Sequence, residues 1–174
     1  MLQNFFIRSF WFLLLVLLQT LVFNHIHFMG YATPMPYVYF LLIQPHHTDR
    51  WSYVCMGFLL GIAIDVFSNT IGAAAASMTL VGLLTPLLVK IFAPEDKLDE
   101  DFLPSAATMK WSGFLKLSAI AFFLHIALFF MLENFSLFDP ETLFINIGAS
   151  WVLTFLFVVA IEHIRMSFNK RFTL

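Results

Sequence analysis

Residues 57–68 read Gly57-Phe-Leu-Leu-Gly61-Ile-Ala-Ile-Asp65-Val-Phe-Ser68, an apolar run that contains one carboxylate. Residues four apart lie above one another on a helix, so Gly57, Gly61 and Asp65 form one stripe. An aspartate near the bilayer centre costs roughly 2.5–3.5 kcal/mol on insertion scales. The two glycines let another helix approach closely on the same face. This stretch predicts a membrane-spanning helix with a close-packed face and a carboxylate that needs a partner.

Composition places the whole chain in the membrane. Hydrophobic residues make up 60% of its 174 positions and charged residues 11%, whereas charged residues are about 25% of an ordinary soluble domain. We predict a single integral membrane domain over residues 1–174, because nearly all of its mass is needed to span the bilayer. The single cysteine, Cys55, allows no disulfide within the chain.

The apolar segments predict the number of spans. A spanning helix needs about 20 mainly apolar residues. The second candidate is the weakest, because it is short and because Pro34 and Pro36 would break its first turns or place its helical start near Met35. We predict an all-α bundle of six transmembrane helices, at about 5–23, 29–44, 51–67, 72–92, 113–132 and 143–161.

The charges predict the orientation. With six spans, all nine lysines and arginines fall on one side and none on the other. Positive charge is retained in the cytoplasm, so both termini are predicted to be cytoplasmic. Without the second span, Arg50 would lie outside. The polar stretch 94–110 is then cytoplasmic, and we interpret it as a solvated linker, with a docking site for a cytosolic partner as the alternative.

Polar residues recur at one depth in the predicted bundle. At 1.5 Å per residue, Gln19, Asp65 and His125 lie about two-thirds of the way outward, and Ser77 and Asn146 reach a comparable depth from the opposite side. We predict that they form a hydrogen-bonded layer around Asp65, with Gln19 or His125 as its direct partner. Two interpretations stay open: the floor of an outward-facing cavity that holds a ligand, or interhelical bonds that fix helix register.

Enzyme signatures are lacking in the sequence. It contains no phosphate-binding loop and no nucleophile elbow, and its histidines do not have the spacing of a zinc site. Glu162 and His163 are adjacent, but helical neighbours point about 100° apart. We expect a non-enzymatic membrane protein without a cofactor, a metal ion or a nucleic-acid partner.

Several motifs resemble the MreD family of small membrane proteins in the bacterial rod-shape machinery. That family typically shows Gly-Phe-x-x-Gly-x-x-x-Asp, then a short turn and a glycine that opens the next helix. Two departures are the pair Pro36-Tyr37, where the family usually has Pro-Asp, and the turn Ser68-Asn-Thr-Ile-Gly72, which is usually richer in glycine and proline. The matching residues are Leu17-Leu-Gln-Thr20, Gly30 with Pro34 and Pro36, the stretch 57–68, and Gly72.

The resemblance implies a function. MreD-like proteins are non-enzymatic scaffold subunits of the cell-elongation complex in the bacterial inner membrane. They support lateral peptidoglycan synthesis and cell shape together with MreC, the MreB cytoskeleton, a RodA-type glycan polymerase and a penicillin-binding transpeptidase. On this interpretation, the Gly57/Gly61 face and the start of helix four at Gly72 pack within the bundle or against a partner's helix, and Asp65 holds its helix in register.

The family bundle is thought to be similar to the substrate-binding subunits of energy-coupling-factor vitamin transporters. This similarity supplies the alternative function: a substrate-capturing membrane subunit of a small-molecule transporter, with an outward pocket over Gln19, Asp65 and His125. A proton-coupled carrier is a third possibility, but it needs more buried ionisable residues than this chain has.

Overall fold

The computed structural model describes residues 2–26, 32–134 and 140–172, and this part of the chain is helical, without strands. Five of its helices are long and apolar enough to cross a membrane, which makes the protein an all-helical, multi-pass membrane protein. The remaining helix is a single turn. The six helices are α1 Leu2–Leu21, α2 Tyr39–Leu42, α3 Arg50–Ser68, α4 Ala73–Phe92, α5 Ala106–Glu133 and α6 Pro140–Phe172.

The five long helices coincide with five of the predicted spans, and the largest differences are at α5 and α6. α5 begins at Ala106 rather than at 113, because Ser105 caps a first turn that precedes a break at Lys110, where φ is 61°. α6 continues to Phe172 rather than ending near 161. Its 33 residues extend about 50 Å, which exceeds the hydrocarbon thickness of about 30 Å.

The predicted span 29–44 is not a membrane-length helix, and this part of the prediction needs correction. Residues 29–31, including Gly30, lie outside the described residues. The chain is irregular from Ala32 to Met35, and helix begins at Pro36 with a 3₁₀ turn, Pro36–Val38, that runs into α2. The prolines therefore set the helical start as predicted, but the helix ends again at Leu42. We call residues 32–44 the core segment.

The core segment runs through the middle of the bundle, in contact with all five long helices. Val38, Leu41 and Leu42 have no exposed surface. Non-helical backbone at membrane depth is tolerated only where its polar groups are satisfied by protein or water. The neighbouring helices supply those partners here.

α6 presents its buried stripe to the core segment. The hydroxyl of Ser150 accepts a hydrogen bond from the backbone N–H of Thr33 at 3.0 Å, and that of Thr154 accepts one from Met35 at 2.9 Å. These residues lie four apart on a stripe without exposed surface that continues through Val158 to Glu162. Ser150 and Thr154 hold the irregular backbone, and the whole buried stripe extends about 18 Å along α6.

α3 and α4 form the closest helix pair. A Cβ atom on Gly57 would lie 2.5 Å from the carbonyl oxygen of Met78, and one on Gly61 would lie 2.4 Å from the Cα of Ala75. A Cβ on Gly82 of α4 would meet the α3 backbone at 2.6 Å. Glycine on both helices therefore brings the two backbones into contact, and the Gly57/Gly61 face packs inside the bundle.

Candidate functional site

Asp65 caps the helix that follows its own. It lies in the last turn of α3, and its side chain is almost buried, at 7% exposure. Oδ1 accepts a hydrogen bond from the backbone N–H of Ala74 at 3.0 Å and another from the hydroxyl of Thr70, and Oδ2 accepts one from the N–H of Ala75 at 2.8 Å. The first amides of a helix lack partners within the helix and carry partial positive charge. The carboxylate satisfies two of them.

The conformation of the turn between α3 and α4 brings the first amides of α4 next to Asp65. Asn69 ends α3 with φ 56° and Gly72 begins α4 with φ 76°, both in the left-handed region. A Cβ on Gly72 would contact nothing within 4 Å, so glycine is favoured there by its backbone conformation and not by space. α4 begins from Gly72, as the sequence predicts.

The predicted direct partners of Asp65 were wrong. Gln19 instead donates from Nε2 to Oδ1 of Asn24 at 2.9 Å and to the carbonyl of Pro34 at 3.1 Å. Asn24 in turn donates to the Ser68 hydroxyl at 2.5 Å. Gln19 therefore joins the end of α1 to the end of α3 and to the core segment, while the carboxylate binds the amides that lie nearer to it.

His125 pairs with the core segment. It has no exposed surface, and its Nε2 lies 2.7 Å from the hydroxyl oxygen of Tyr37, with the two rings arranged edge to face at a centroid distance of 5.1 Å. The tyrosine–histidine pair anchors α5 to the core segment.

Ser77 and Asn146 do not join a common layer with Asp65. The Ser77 hydroxyl donates back to the carbonyls of Ala73 and Ala74 in its own helix. Asn146 is half-buried, and its Oδ1 has no hydrogen-bond partner among the described residues. Counting along the helices predicted Ser77 and Asn146 at the depth of Asp65. A shared depth did not bring their side chains into one hydrogen-bonded layer.

A second buried carboxylate, Glu162, caps α5 and was missed by sequence reasoning. It has no exposed surface. Its Oε1 accepts a hydrogen bond from the first amide of α5, at Ala106 (2.9 Å), and Oε2 accepts one from the Tyr39 hydroxyl at 2.5 Å. Arg165 donates from Nη1 to the same Oε2 at 3.3 Å and to the Tyr39 oxygen at 3.0 Å. The spacing of three between Glu162 and Arg165, on the buried stripe of α6, is the signal that could have revealed it.

Two cavities lie at opposite ends of the bundle. The cavity beside the α3–α4 turn has a volume of about 220 Å³ and a wall that includes Gln19, Tyr37 and Thr70. The cavity at the other end has a volume of about 650 Å³ and a wall that includes Arg8 of α1 and Arg165 of α6. We call them the turn cavity and the arginine cavity. Neither Asp65 nor His125 contributes to the wall of either one.

The described residues contain no group of three or more histidine, cysteine, aspartate or glutamate side chains that could hold a metal ion. Among protein-family models, curated proteins and solved structures, none matches this chain. Function is therefore inferred from the contacts within the bundle and from the motifs in the sequence.

Proposed function

We propose that this protein is a non-enzymatic scaffold subunit of the cell-elongation complex in the bacterial inner membrane, the function that the resemblance to the MreD family implies. The observation that supports this proposal is the use of both deeply buried carboxylates as helix caps. Asp65 accepts three hydrogen bonds and Glu162 also accepts three. A carboxylate that catalyses or carries a proton has to exchange partners, whereas these two fix helices in place.

In this proposal the chain crosses the membrane six times, with the core segment as the second crossing and with both termini and residues 94–110 in the cytoplasm. The partition of lysine and arginine supports this orientation. The solvated linker of this proposal is residues 94–101, where Lys97 pairs with Glu100 at 2.7 Å on the exposed surface. The predicted range 94–110 was too long, because Phe102, Ser105 and Met109 are buried and α5 begins at Ala106.

The surface offered to partner helices is the outer side of α1. The Gly57/Gly61 face is occupied by α4, while only 17% of the apolar span Arg8–His25, which includes most of α1, is buried. The most exposed apolar side chains of α1 recur at spacings of three and four, as in a helix-pairing seam. More than half of the surface is exposed in Phe10, Leu13, Leu17 and Leu21.

Co-purification from the native host in mild detergent, followed by mass spectrometry, tests the proposal. We expect an MreC-like protein together with a RodA-type polymerase or a penicillin-binding transpeptidase, and the MreB cytoskeleton where the complex stays intact. Depletion of the protein from rod-shaped cells should make them round. Recovery of a transporter ATPase module, with cell shape unchanged, would contradict the proposal.

Site-specific crosslinking tests the α1 surface. In a Cys55→Ser background, we expect Leu13→Cys to crosslink to the MreC-like partner. Leu156→Cys, an equally exposed apolar position on α6, is the matched control and should not crosslink. Crosslinking from Leu156→Cys alone would move the partner surface to α6.

A small-molecule transporter subunit is the second candidate, and the turn cavity is the observation that favours it. The cavity is partly polar, and Oε1 of the buried Gln19 in its wall has no hydrogen-bond partner among the described residues. Its volume of about 220 Å³ is below the usual 300–1,000 Å³ of ligand sites. A small molecule that co-purifies with the wild type and is lost from Gln19→Leu would favour this function.

A further inference from the structure

We propose that the arginine cavity is a binding site for a phospholipid whose headgroup carries a primary ammonium, such as phosphatidylethanolamine. The cavity lies between α1, the core segment and α6, and its volume of about 650 Å³ is within the range of ligand sites. It is open at the surface, since Trp11 of α1 and Ile164 of α6 in its wall are 37% and 55% exposed. Both helices are apolar enough to cross the membrane, so the opening faces lipid.

Two arginines provide the binding site for the phosphate. Arg8 is half-buried in the wall of the cavity, and no carboxylate among the described residues lies within 4 Å of its guanidinium. The hydrogen bonds of Arg165 to Tyr39 and Glu162 both come from Nη1, which leaves the other donors of its guanidinium for a ligand. Guanidinium groups bind phosphate oxygens in a bidentate manner.

Two acceptors in the same wall favour an ammonium over a purely anionic headgroup. Gln44 is 1% exposed and donates from Nε2 to the carbonyl of Phe40 at 2.9 Å, but its Oε1 has no donor among the described residues. A buried acceptor without a partner is unfavourable, so this atom is suited to receive an N–H from a ligand. Asp101, whose Oδ1 lies 3.6 Å from Nδ1 of His47 at the exposed rim, adds a carboxylate to the wall of the same cavity.

The apolar part of the wall is suited to the acyl chains. Its side chains come from four parts of the fold: α1, the core segment, the loop before α5, and α6. The apolar wall residues include Trp11, Ile43, Phe102, Leu103, Ile161 and Ile164. A headgroup with both a phosphate and an ammonium therefore meets a complementary charge at each end, with its chains in the membrane.

Native mass spectrometry of the purified full-length protein tests this site. Phosphatidylethanolamine, phosphatidylglycerol and phosphatidylcholine with identical chains would be added at equal concentration. We expect phosphatidylethanolamine to bind preferentially, because phosphatidylglycerol has no ammonium and the ammonium of phosphatidylcholine has no N–H. Arg8→Gln should lower its affinity by about tenfold, the effect expected for the loss of a charge-assisted hydrogen bond. Arg50→Gln, an exposed arginine outside the cavity, is the matched control and should leave binding unchanged.

The variant Asp101→Asn distinguishes recognition of the ammonium from recognition of the phosphate. The side chain is 64% exposed, so the substitution should not disturb folding. We expect it to reduce the preference for phosphatidylethanolamine over phosphatidylglycerol while total lipid binding persists. Equal binding of all three lipids, a preference for phosphatidylglycerol in the wild type, or identical behaviour of Arg8→Gln and Arg50→Gln would overturn the proposal.

Discussion

Asp65 satisfies amides that lie nine and ten residues further along the chain, so its role depends on the turn as much as on the helix that carries it. A carboxylate that accepts bonds on both oxygens has few substitutes. Asparagine keeps one acceptor oxygen, and leucine keeps none. The same residue therefore supports both the start of α4 and the packing of α3 against it.

We expect Asp65→Leu to lower the thermal stability of the detergent-solubilised protein more than Asp65→Asn. Loss of a helix cap costs about 0.5–2 kcal/mol, and burial of the released amides adds to that. Asparagine should fall between leucine and the wild type, because its carbonyl can still accept from α4. Equal losses for the two variants would show that the negative charge, and not the hydrogen bonding, carries the effect.

The glycines on the α3–α4 face differ from a glycine on the bundle surface. We expect Gly61→Ala to destabilise the protein by about 1–3 kcal/mol, because the new Cβ would lie 2.4 Å from the Cα of Ala75. Gly148→Ala on α6 is the matched control, since its Cβ would meet nothing within 4 Å, and alanine favours helix by about 1 kcal/mol. Denaturation in mixed micelles compares the two. A neutral Gly61→Ala would contradict the close packing of the two backbones.

Among the elements, the core segment shows where sequence reasoning succeeded and where it stopped. Of the six spans predicted from hydropathy, five are membrane-length helices, because an apolar run of sufficient length is a local property. The glycines at 57 and 61 predicted a close approach, because small side chains have that effect wherever they meet another helix. The partners of Thr33 and Asp65 depend on which helix end lies nearby, and Ser150 is 117 residues from Thr33. No local pattern encodes such a pairing.

The hydroxyls of α6 should determine how firmly the core segment is held. We expect the double variant Ser150→Ala/Thr154→Val to speed hydrogen exchange at the amides of Thr33 and Met35, because both lose their acceptors in a buried region. Ser118→Ala is the control, since that buried hydroxyl donates to the carbonyl of Phe114 in its own helix and not to the core segment. Unchanged exchange at the two amides would mean that packing alone holds the segment.

For the whole molecule, the two carboxylate caps lie at opposite ends of the bundle and act on different helices. Asp65 joins α3 to α4, and Glu162 joins α6 to α5 and, through the Tyr39 hydroxyl, to α2. The pairs α3–α4 and α5–α6 are therefore joined at opposite ends of the bundle. Such links resist shear within each pair, as the proposed scaffold function requires.

The proposed orientation gives a prediction for the whole chain. A reporter that is active only in the cytoplasm should give a signal both when it is fused before α1 and when it is fused after α6. An even number of crossings puts both termini on the same side, and the charges place that side in the cytoplasm. In a Cys55→Ser background, a cysteine placed at Ile71, a fully exposed position of the α3–α4 turn, should react with a membrane-impermeant thiol reagent in intact spheroplasts, and one placed at Asp96 should not. Labelling at position 96 alone would indicate the opposite orientation. Labelling at both positions would contradict six crossings.

The pairing of the core segment with α6 also constrains how the protein is made. Thr33 and Met35 leave the ribosome 117 and 119 residues before Ser150 and Thr154, which accept their amide protons. At bacterial synthesis rates this interval is on the order of ten seconds. During that time the segment has no membrane-length helix of its own, and the acceptors of these two amide protons on α6 have not yet been made. These hydrogen bonds therefore form only after α6 is inserted, so a polypeptide truncated before Ser150 would lack them and expose the core segment to quality-control proteases.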